Sequence, residues 1–198
     1  MDLSLSQGTF DALIFDCDGT LVDTPPAHLR ALQKALAPLQ LTMAAEWYYE
    51  RGGLGPNALW DQYEALQGKP IPRESITERY NEIFRRELDQ MEEIRVVADI
   101  ARAWHGRVPL SVASNGRRAN VKATLAATGL LPLFDHVVGA EDVKHGKPEP
   151  DVFLEAARRM SVAPVSCVVF EDSDEGLEAA RRAGMRAMDI RAFHTPAR

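Results

Sequence analysis

The chain has 198 residues, 45% of them apolar and 26% charged, which suits one globular domain carrying at most one insertion and excludes a disordered or fibrous chain. With 23 basic against 29 acidic residues its formal charge is −6, so no basic stripe is available to neutralise a nucleic-acid backbone. A chain of this length buries roughly 70% of its unfolded surface and needs no disulfide framework.

Cys17 and Cys167 both fall inside apolar runs, where reduced thiols behave as small hydrophobes, a usage that suits the cytoplasm. Met1–Phe10 contains Asp2 and no basic residue, which does not fit the start of a signal peptide. No apolar run approaches the roughly 18 residues of a membrane span. The sequence therefore predicts a soluble, cytoplasmic protein with no nucleic-acid or membrane partner, and a monomer is expected.

Phe10–Phe15 is the first predicted strand, and it ends in Asp16-Cys17-Asp18-Gly19-Thr20. The stretch from there to the next strand, Pro109–Ala113, contains no convincing strand of its own. Thr24 followed by Pro25 and Pro26 has the pattern of an N-cap with proline in the first helical turn. Leu29, Leu32 and Leu36 then recur at helical spacing, and Ile76, Tyr80, Ile83, Phe84 and Leu88 form a second stripe. Gly52, Gly53, Gly55 and Pro56 mark a turn between helices. Such a length of chain exceeds one crossover, so residues 24–93 are predicted to be a helical insertion. Trp47, Tyr48, Trp60 and Tyr63 are expected in its core.

Beyond Pro109, strands at His136–Gly139, Ser166–Phe170 and Arg186–Ile190 alternate with helices at Asn120–Thr128, Asp151–Met160 and Glu175–Ala183. In the second of these helices Phe153, Leu154, Ala157 and Met160 are expected on the buried face. The alternation predicts an α/β class protein: a Rossmann-like parallel sheet core, residues 1–23 plus 94–198, with an inserted α-helical cap.

In a parallel sheet all strand C-termini point to one edge, and ligands bind in the crevice there. Asp16, Asp18, Ser114 and Asp172 each follow a predicted strand and converge on that edge. Acids so close together repel one another unless a hard cation intervenes, and their oxygen ligands suit Mg²⁺. Ser114 and Lys147 offer a hydroxyl and a positive charge, which suit a phosphate ester. Asp16, nearest the strand and most rigidly held, is the expected nucleophile. Asp18, one step into the loop, is the expected general acid/base. Thr20, Asn115 and Arg117 stand close enough in sequence to reach the phosphate or substrate.

Asp16-Cys17-Asp18-Gly19-Thr20, Ser114, Gly146-Lys147-Pro148-Glu149-Pro150-Asp151 and Glu171-Asp172-Ser173 resemble the four motifs of the haloacid dehalogenase superfamily, in order and in spacing. The resemblance covers essentially the whole chain, and the inserted helices are similar to that family's subclass I cap. It implies that Asp16, the backbone of Asp18 and Asp172 hold Mg²⁺, with Glu171 close by. It also implies phosphoryl transfer rather than dehalogenation.

Asp23-Thr24 and His28 resemble the β-phosphoglucomutase-like branch, and Ala103-Trp104-His105-Gly106-Arg107 with Val143–Pro148 looks like its fructose-1-phosphatase type. Within that branch His28 is expected to steer Asp18 or the sugar. Two departures stand out: Pro56 lies where mutases carry a cap arginine, and Tyr80 lies near where the branch has a cap lysine. Both favour a Mg²⁺-dependent sugar phosphatase working through an aspartyl-phosphate. The alternatives are a β-phosphoglucomutase-type phosphotransferase and, from another class, a non-catalytic phospho-acceptor domain.

Overall fold

A computed structural model describes residues 9–194. Five parallel strands form one sheet in the order β3-β2-β1-β4-β5: β1 Ala12–Phe15, β2 Leu110–Ala113, β3 His136–Val138, β4 Cys167–Glu171 and β5 Arg186–Asp189. Each lies where the sequence predicts, to within a residue or two. The chain winds outward from β1 to β3 and then crosses back to β4, so the strand order reverses between β1 and β4. That reversal opens the crevice in which doubly wound sheets bind ligands.

The apolar runs are continuous because both sheet faces are covered. Leu13, Phe15, Leu110, Val112, Val168 and Phe170 point to one side, where α5 (Arg95–Trp104) and α6 (Arg118–Ala127) pack. Ala12, Ile14, Ala113, Cys167 and Val169 point to the other, against α7 (Asp151–Met160) and α8 (Asp174–Arg182). Phe15 and Phe170, neighbours on β1 and β4, stack with centroids 4.8 Å apart, and burying each ring stabilises the fold by roughly 2–3 kcal/mol. On α7 the buried stripe is Val152, Phe153, Ala156, Ala157 and Met160; Leu154, expected to be buried, is 38% exposed. It stands off the seam that Val152 and Ala156 complete at the spacing of one helical turn.

Between β1 and β2 lie α1 (Pro25–Leu36), α2 (Ala45–Tyr49), α3 (Pro56–Gln67) and α4 (Arg73–Glu87). They share their own apolar cluster, from Leu29 and Leu32 through Trp60 and Tyr63 to Ile76. The two chain segments that lead into and out of these helices are zipped together: Asp23 N donates to Glu92 O (3.0 Å) and Ile94 N to Leu21 O (2.8 Å). Pro56 opens α3, as expected of the glycine-rich turn before it. Thr24 differs from expectation. Its hydroxyl caps no backbone N–H of α1 but donates to the Asp18 carboxylate.

Buried Glu87 ties α4 to α1, accepting from Arg30 Nε at 3.1 Å and Lys34 Nζ at 2.7 Å. The Lys34 hydrogen bond, followed by that of Arg30 and against the opposing pull of burial, holds its carboxyl below the usual range. A depressed folded-state pKa adds stability above the unfolded pKa, near 4.3, and that stability is lost as pH falls through the folded value. We expect Glu87→Gln to cost roughly 1 kcal/mol at neutral pH and almost nothing in strong acid. Urea midpoints measured across pH 3–7 check it: parallel profiles for variant and parent would refute the linkage.

Candidate active site

The C-terminal ends of β1 and β4 place Asp16, Glu171 and Asp172 side by side at the point where strand order reverses. Each offers one oxygen within 4.8 Å of the others. Lys147, on the loop before α7, reaches into this group with Nζ 2.5 Å from Asp16 Oδ1 and 2.7 Å from Glu171 Oε2. All three of these side chains are nearly or fully buried. Burial first, then the ionic pull of Asp16 and Glu171 against it, leaves Lys147 above its ordinary pKa and firmly cationic.

One lysine does not balance these acids. Burial, offset in part by Lys147 and reinforced by Glu171, Asp172 and Asp18, pushes Asp16 well above the usual carboxylate range. Burial and then Glu171 push Asp172 up to about 7. Thr20, fully buried, donates to Asp172 Oδ1 at 2.8 Å. Gly19 (φ +87°) passes so close that a Cβ there would stand 2.3 Å from Asp172 Oδ2. A side chain at that position would fill the cradle between the β1 loop and Asp172. An all-oxygen donor set with surplus negative charge and a backbone cleared by glycine fits a hard divalent cation.

Glu171 also anchors the loop into α8. Its Oε1 accepts from Asp172 N (3.0 Å), Ser173 N (3.0 Å) and Ser173 Oγ (2.8 Å), while Ser173 caps α8 by accepting from Gly176 N. Gly176 is required there, since its Cβ would lie 2.0 Å from the Glu171 carboxyl.

Asp18 lives in a different environment. Its Oδ1 accepts from Thr24 Oγ1 (2.7 Å) and meets His28 Nε2 at 3.0 Å; its Oδ2 accepts from Ser114 Oγ at 3.3 Å. Desolvation would raise it, but the charge and hydrogen bond of His28, with the Thr24 and Ser114 hydroxyls, outweigh that and hold Asp18 below its ordinary value. Two aspartates two residues apart are thus driven in opposite directions, which is how paired carboxylates acquire separate roles.

The remaining expected residues divide. Ser114 reaches Asp18 and accepts from Gly116 N at 2.9 Å, facing the cleft. Asn115, expected at the substrate, spends its amide on the protein. Its Oδ1 accepts from Lys147 N (2.7 Å), and its Nδ2 donates to Lys147 O (3.2 Å) and to Gly53 O (3.0 Å) in the turn before α3. It thus braces Lys147 and touches the helical segment at once. We expect Asn115→Ala to lower kcat/KM about tenfold, through misplacement of Lys147 rather than loss of a ligand. Steady-state kinetics check this, and unchanged kcat/KM would show the brace to be dispensable.

In the sequence Thr24, Ser173 and Tyr80 stand only as a branch signature, a motif neighbour and a departure near the cap-lysine place, and none of them is an expected site residue. Thr24 has the pattern of a cap, and Tyr80 sits in an apolar stripe. Only the tertiary fold reveals that both hydroxyls turn toward Asp18 or its partner. Above the acids a cleft of about 450 Å³ extends under α1, α3 and α4, lined by Tyr48, Arg51, Trp60, Asn81 and Arg117 among others. Trp60 and Tyr63 sit in the helical core as expected, with Trp47 and Tyr48 packed against it, and Trp60 and Tyr48 also face this cleft.

A doubly wound sheet bearing carboxylates, a buried lysine and a serine at its C-terminal edge is an arrangement suited to phosphoryl transfer. Residues 10–184 match the model of the haloacid dehalogenase-like hydrolases, and the chain belongs to that family. It is 39% identical over 186 residues to the fructose-1-phosphate phosphatase YqaB of Escherichia coli, covering 92% of this chain and 97% of that one. The crystal structure of CbbY from Rhodobacter sphaeroides in complex with phosphate superposes with a TM-score of 0.80 at 28% identity, over 90% of this chain and 84% of that one. A β-phosphoglucomutase from Clostridium difficile shares the fold, with a TM-score of 0.79 at 21% identity over 91% and 84% of the two chains. The protein is a phosphomonoester hydrolase.

Proposed function

We propose that this enzyme hydrolyses a sugar phosphate by transferring its phosphoryl group to Asp16. The observation that supports this best is the divergence of Asp16 and Asp18. Asp16 is rigid at the end of β1 and 2.5 Å from Lys147 Nζ, while Asp18 is held apart among Thr24, His28 and Ser114. The substrate class follows the 39% identical relative, a fructose-1-phosphate phosphatase, and a cleft with room for a hexose beyond the acids.

Lys147 and Ser114 bind and orient the phosphate, Lys147 offsetting the charge that spreads over its oxygens. An Asp16 oxygen attacks phosphorus as the bond to the sugar oxygen breaks. The ester's negative charges, placed beside Asp18, raise its affinity for a proton, and the protonated carboxyl delivers that proton to the leaving sugar oxygen. Asp18, again ionised, then takes a proton from water, whose oxygen attacks the aspartyl-phosphate and frees Asp16 and phosphate. Asp16, Asp172 and the Asp18 backbone, with Glu171 alongside, would hold Mg²⁺, which when bound supplies positive charge against the phosphoryl oxygens.

Residues 24–93 act in this proposal as a cap that covers the cleft and excludes water. Buried free thiols at Cys17 and Cys167 are in keeping with a cytoplasmic location, and a monomer suffices because every proposed group comes from one chain. Among the described residues no helix is long and apolar enough to cross a membrane.

Phosphate release from a panel of hexose, pentose and small-acid phosphates, with MgCl₂ and with chelator, tests the proposal. Metal-dependent release from one or two sugar phosphates is expected. Release from small-acid phosphates alone, or at full rate in chelator, overturns it.

A further inference from the structure

We propose that Tyr80 is a positioning residue of the reaction: its hydroxyl, acting through His28, sets the orientation of Asp18. The inference rests on the role of Asp18 given above and adds the element that holds it. Tyr80 Oη lies 2.5 Å from His28 Nδ1, and His28 Nε2 lies 3.0 Å from Asp18 Oδ1. Hydroxyl, imidazole and carboxylate therefore form one chain running from α4 through α1 to the loop after β1.

The two rings are clamped by stacking. The imidazole lies flat on Phe84, with centroids 4.4 Å apart and planes 5° apart, and the Tyr80 ring stacks on the same Phe84 at 5.7 Å. Stacking fixes the plane of the imidazole but does not decide which nitrogen carries hydrogen. The two flanking groups decide it together: Tyr80 Oη holds Nδ1 at 2.5 Å and the Asp18 carboxylate holds Nε2 at 3.0 Å. When the hydroxyl donates to Nδ1, the hydrogen of the neutral ring must sit on Nε2, aimed at Asp18. When Nδ1–H donates to Tyr80 Oη, Nε2 still needs a hydrogen to meet a carboxylate at 3.0 Å, since two acceptors repel. Either way Nε2–H holds Asp18 Oδ1. Burial keeps the Tyr80 phenol well above its ordinary pKa, so it stays a hydroxyl.

Without that hydroxyl the imidazole loses its polar partner at Nδ1, so nothing but stacking and Asp18 itself fixes the ring's in-plane orientation, and Nε2 is no longer held in line with Asp18 Oδ1. Tyr80 is also tied to the sheet half of the molecule. Its neighbour Asn81 accepts from Asn120 Nδ2 on α6 at 2.9 Å, which registers α4 over the cleft. The proton-transferring carboxylate is thus oriented by two helices of the segment that covers it, and its alignment depends on their seating.

Tyr80→Phe keeps the ring and the stack and removes one oxygen. The test compares kcat/KM, which reports transfer to Asp16, for fructose 1-phosphate and p-nitrophenyl phosphate. A sugar alkoxide needs a proton to leave, whereas p-nitrophenolate does not. The expected loss is therefore roughly 10- to 100-fold on the sugar ester and within about threefold on the aryl ester. Equal losses on both, or no loss on either, overturn the proposal.

A second measurement needs no variant. In the ¹⁵N spectrum of histidine-labelled parent protein, His28 must carry hydrogen on Nε2. A spectrum with hydrogen on Nδ1 alone refutes the chain outright. Asp18→Asn separates this failure from a wider one: if that variant keeps full activity on the sugar ester, the role of Asp18 falls. If it is inactive while Tyr80→Phe is unimpaired on both esters, only the role of Tyr80 falls.

Discussion

Asp16→Asn is expected to abolish phosphate release, by about a thousandfold or more, while leaving the metal-free protein at least as stable as its parent. The amide occupies the same volume as the carboxylate but is no nucleophile toward phosphorus, so the first bond does not form. Stability moves the other way because Asp16 is a strained charge. Burial and its acidic neighbours hold it well above the usual carboxylate range even with Lys147 at 2.5 Å. Removing that charge leaves Lys147 paired with Glu171 at 2.7 Å and relieves repulsion on Asp172. Phosphate release and a thermal melt in chelator measure both effects. Retained turnover would place the nucleophile elsewhere, and a melting point lowered by several degrees would make Asp16 a structural partner of Lys147 rather than a functional charge.

Much of the fold was legible because a parallel sheet covered on both faces writes itself as short, uninterrupted apolar runs. Leu13 and Phe15 face one helical layer and Ala12 and Ile14 the other, so no polar residue breaks the strand. Where spacing misled, a neighbouring element had decided the outcome. Leu154 has the hydropathy of a core residue, but the stripe that docks on the sheet runs through Val152, Phe153 and Ala156. Periodicity reports which residues are apolar, and the docking angle chooses among them.

The acids and Lys147 were legible for a separate reason. Acids follow several strands at one sheet edge and Lys147 stands in the loop motif before α7, so their convergence, not any single charge, marked the site. Less legible were groups whose role depends on contacts across the chain. Asn115 follows Ser114 and so stood as a substrate ligand, yet its amide pairs with the Lys147 backbone and with Gly53, more than thirty and sixty residues away. Thr24 carried a capping pattern, and its hydroxyl serves Asp18 instead. Tyr80 looked like one more member of an apolar helical stripe. In each case the residue type allows both uses, and only the three-dimensional partner selects one.

Lys147→Met should act on the same cluster with the opposite sign. The lysine side chain is 2% exposed, its Nζ lies between Asp16 and Glu171 and 4.9 Å above the Phe153 ring, and methionine matches its length without its charge. Removing it leaves Glu171 and Asp16 facing each other without a cation, and breaking a buried pair from one side costs about 3–5 kcal/mol. Turnover falls roughly 10²- to 10³-fold as well, because the phosphoryl group loses a fixed donor aimed at its oxygens. A divalent cation separates the two losses. Unfolding in urea with chelator should show the full destabilisation, and millimolar MgCl₂ should restore much of it without restoring phosphate release. An equal response to Mg²⁺ in parent and variant would mean that Lys147 and the cation answer to different carboxylates. Loss of stability here, set against its retention in Asp16→Asn, is what a site built with more negative charge than its lysine can neutralise requires. Positive charge offsets the repulsion among these acids, and the lysine is the part of that charge the chain supplies itself.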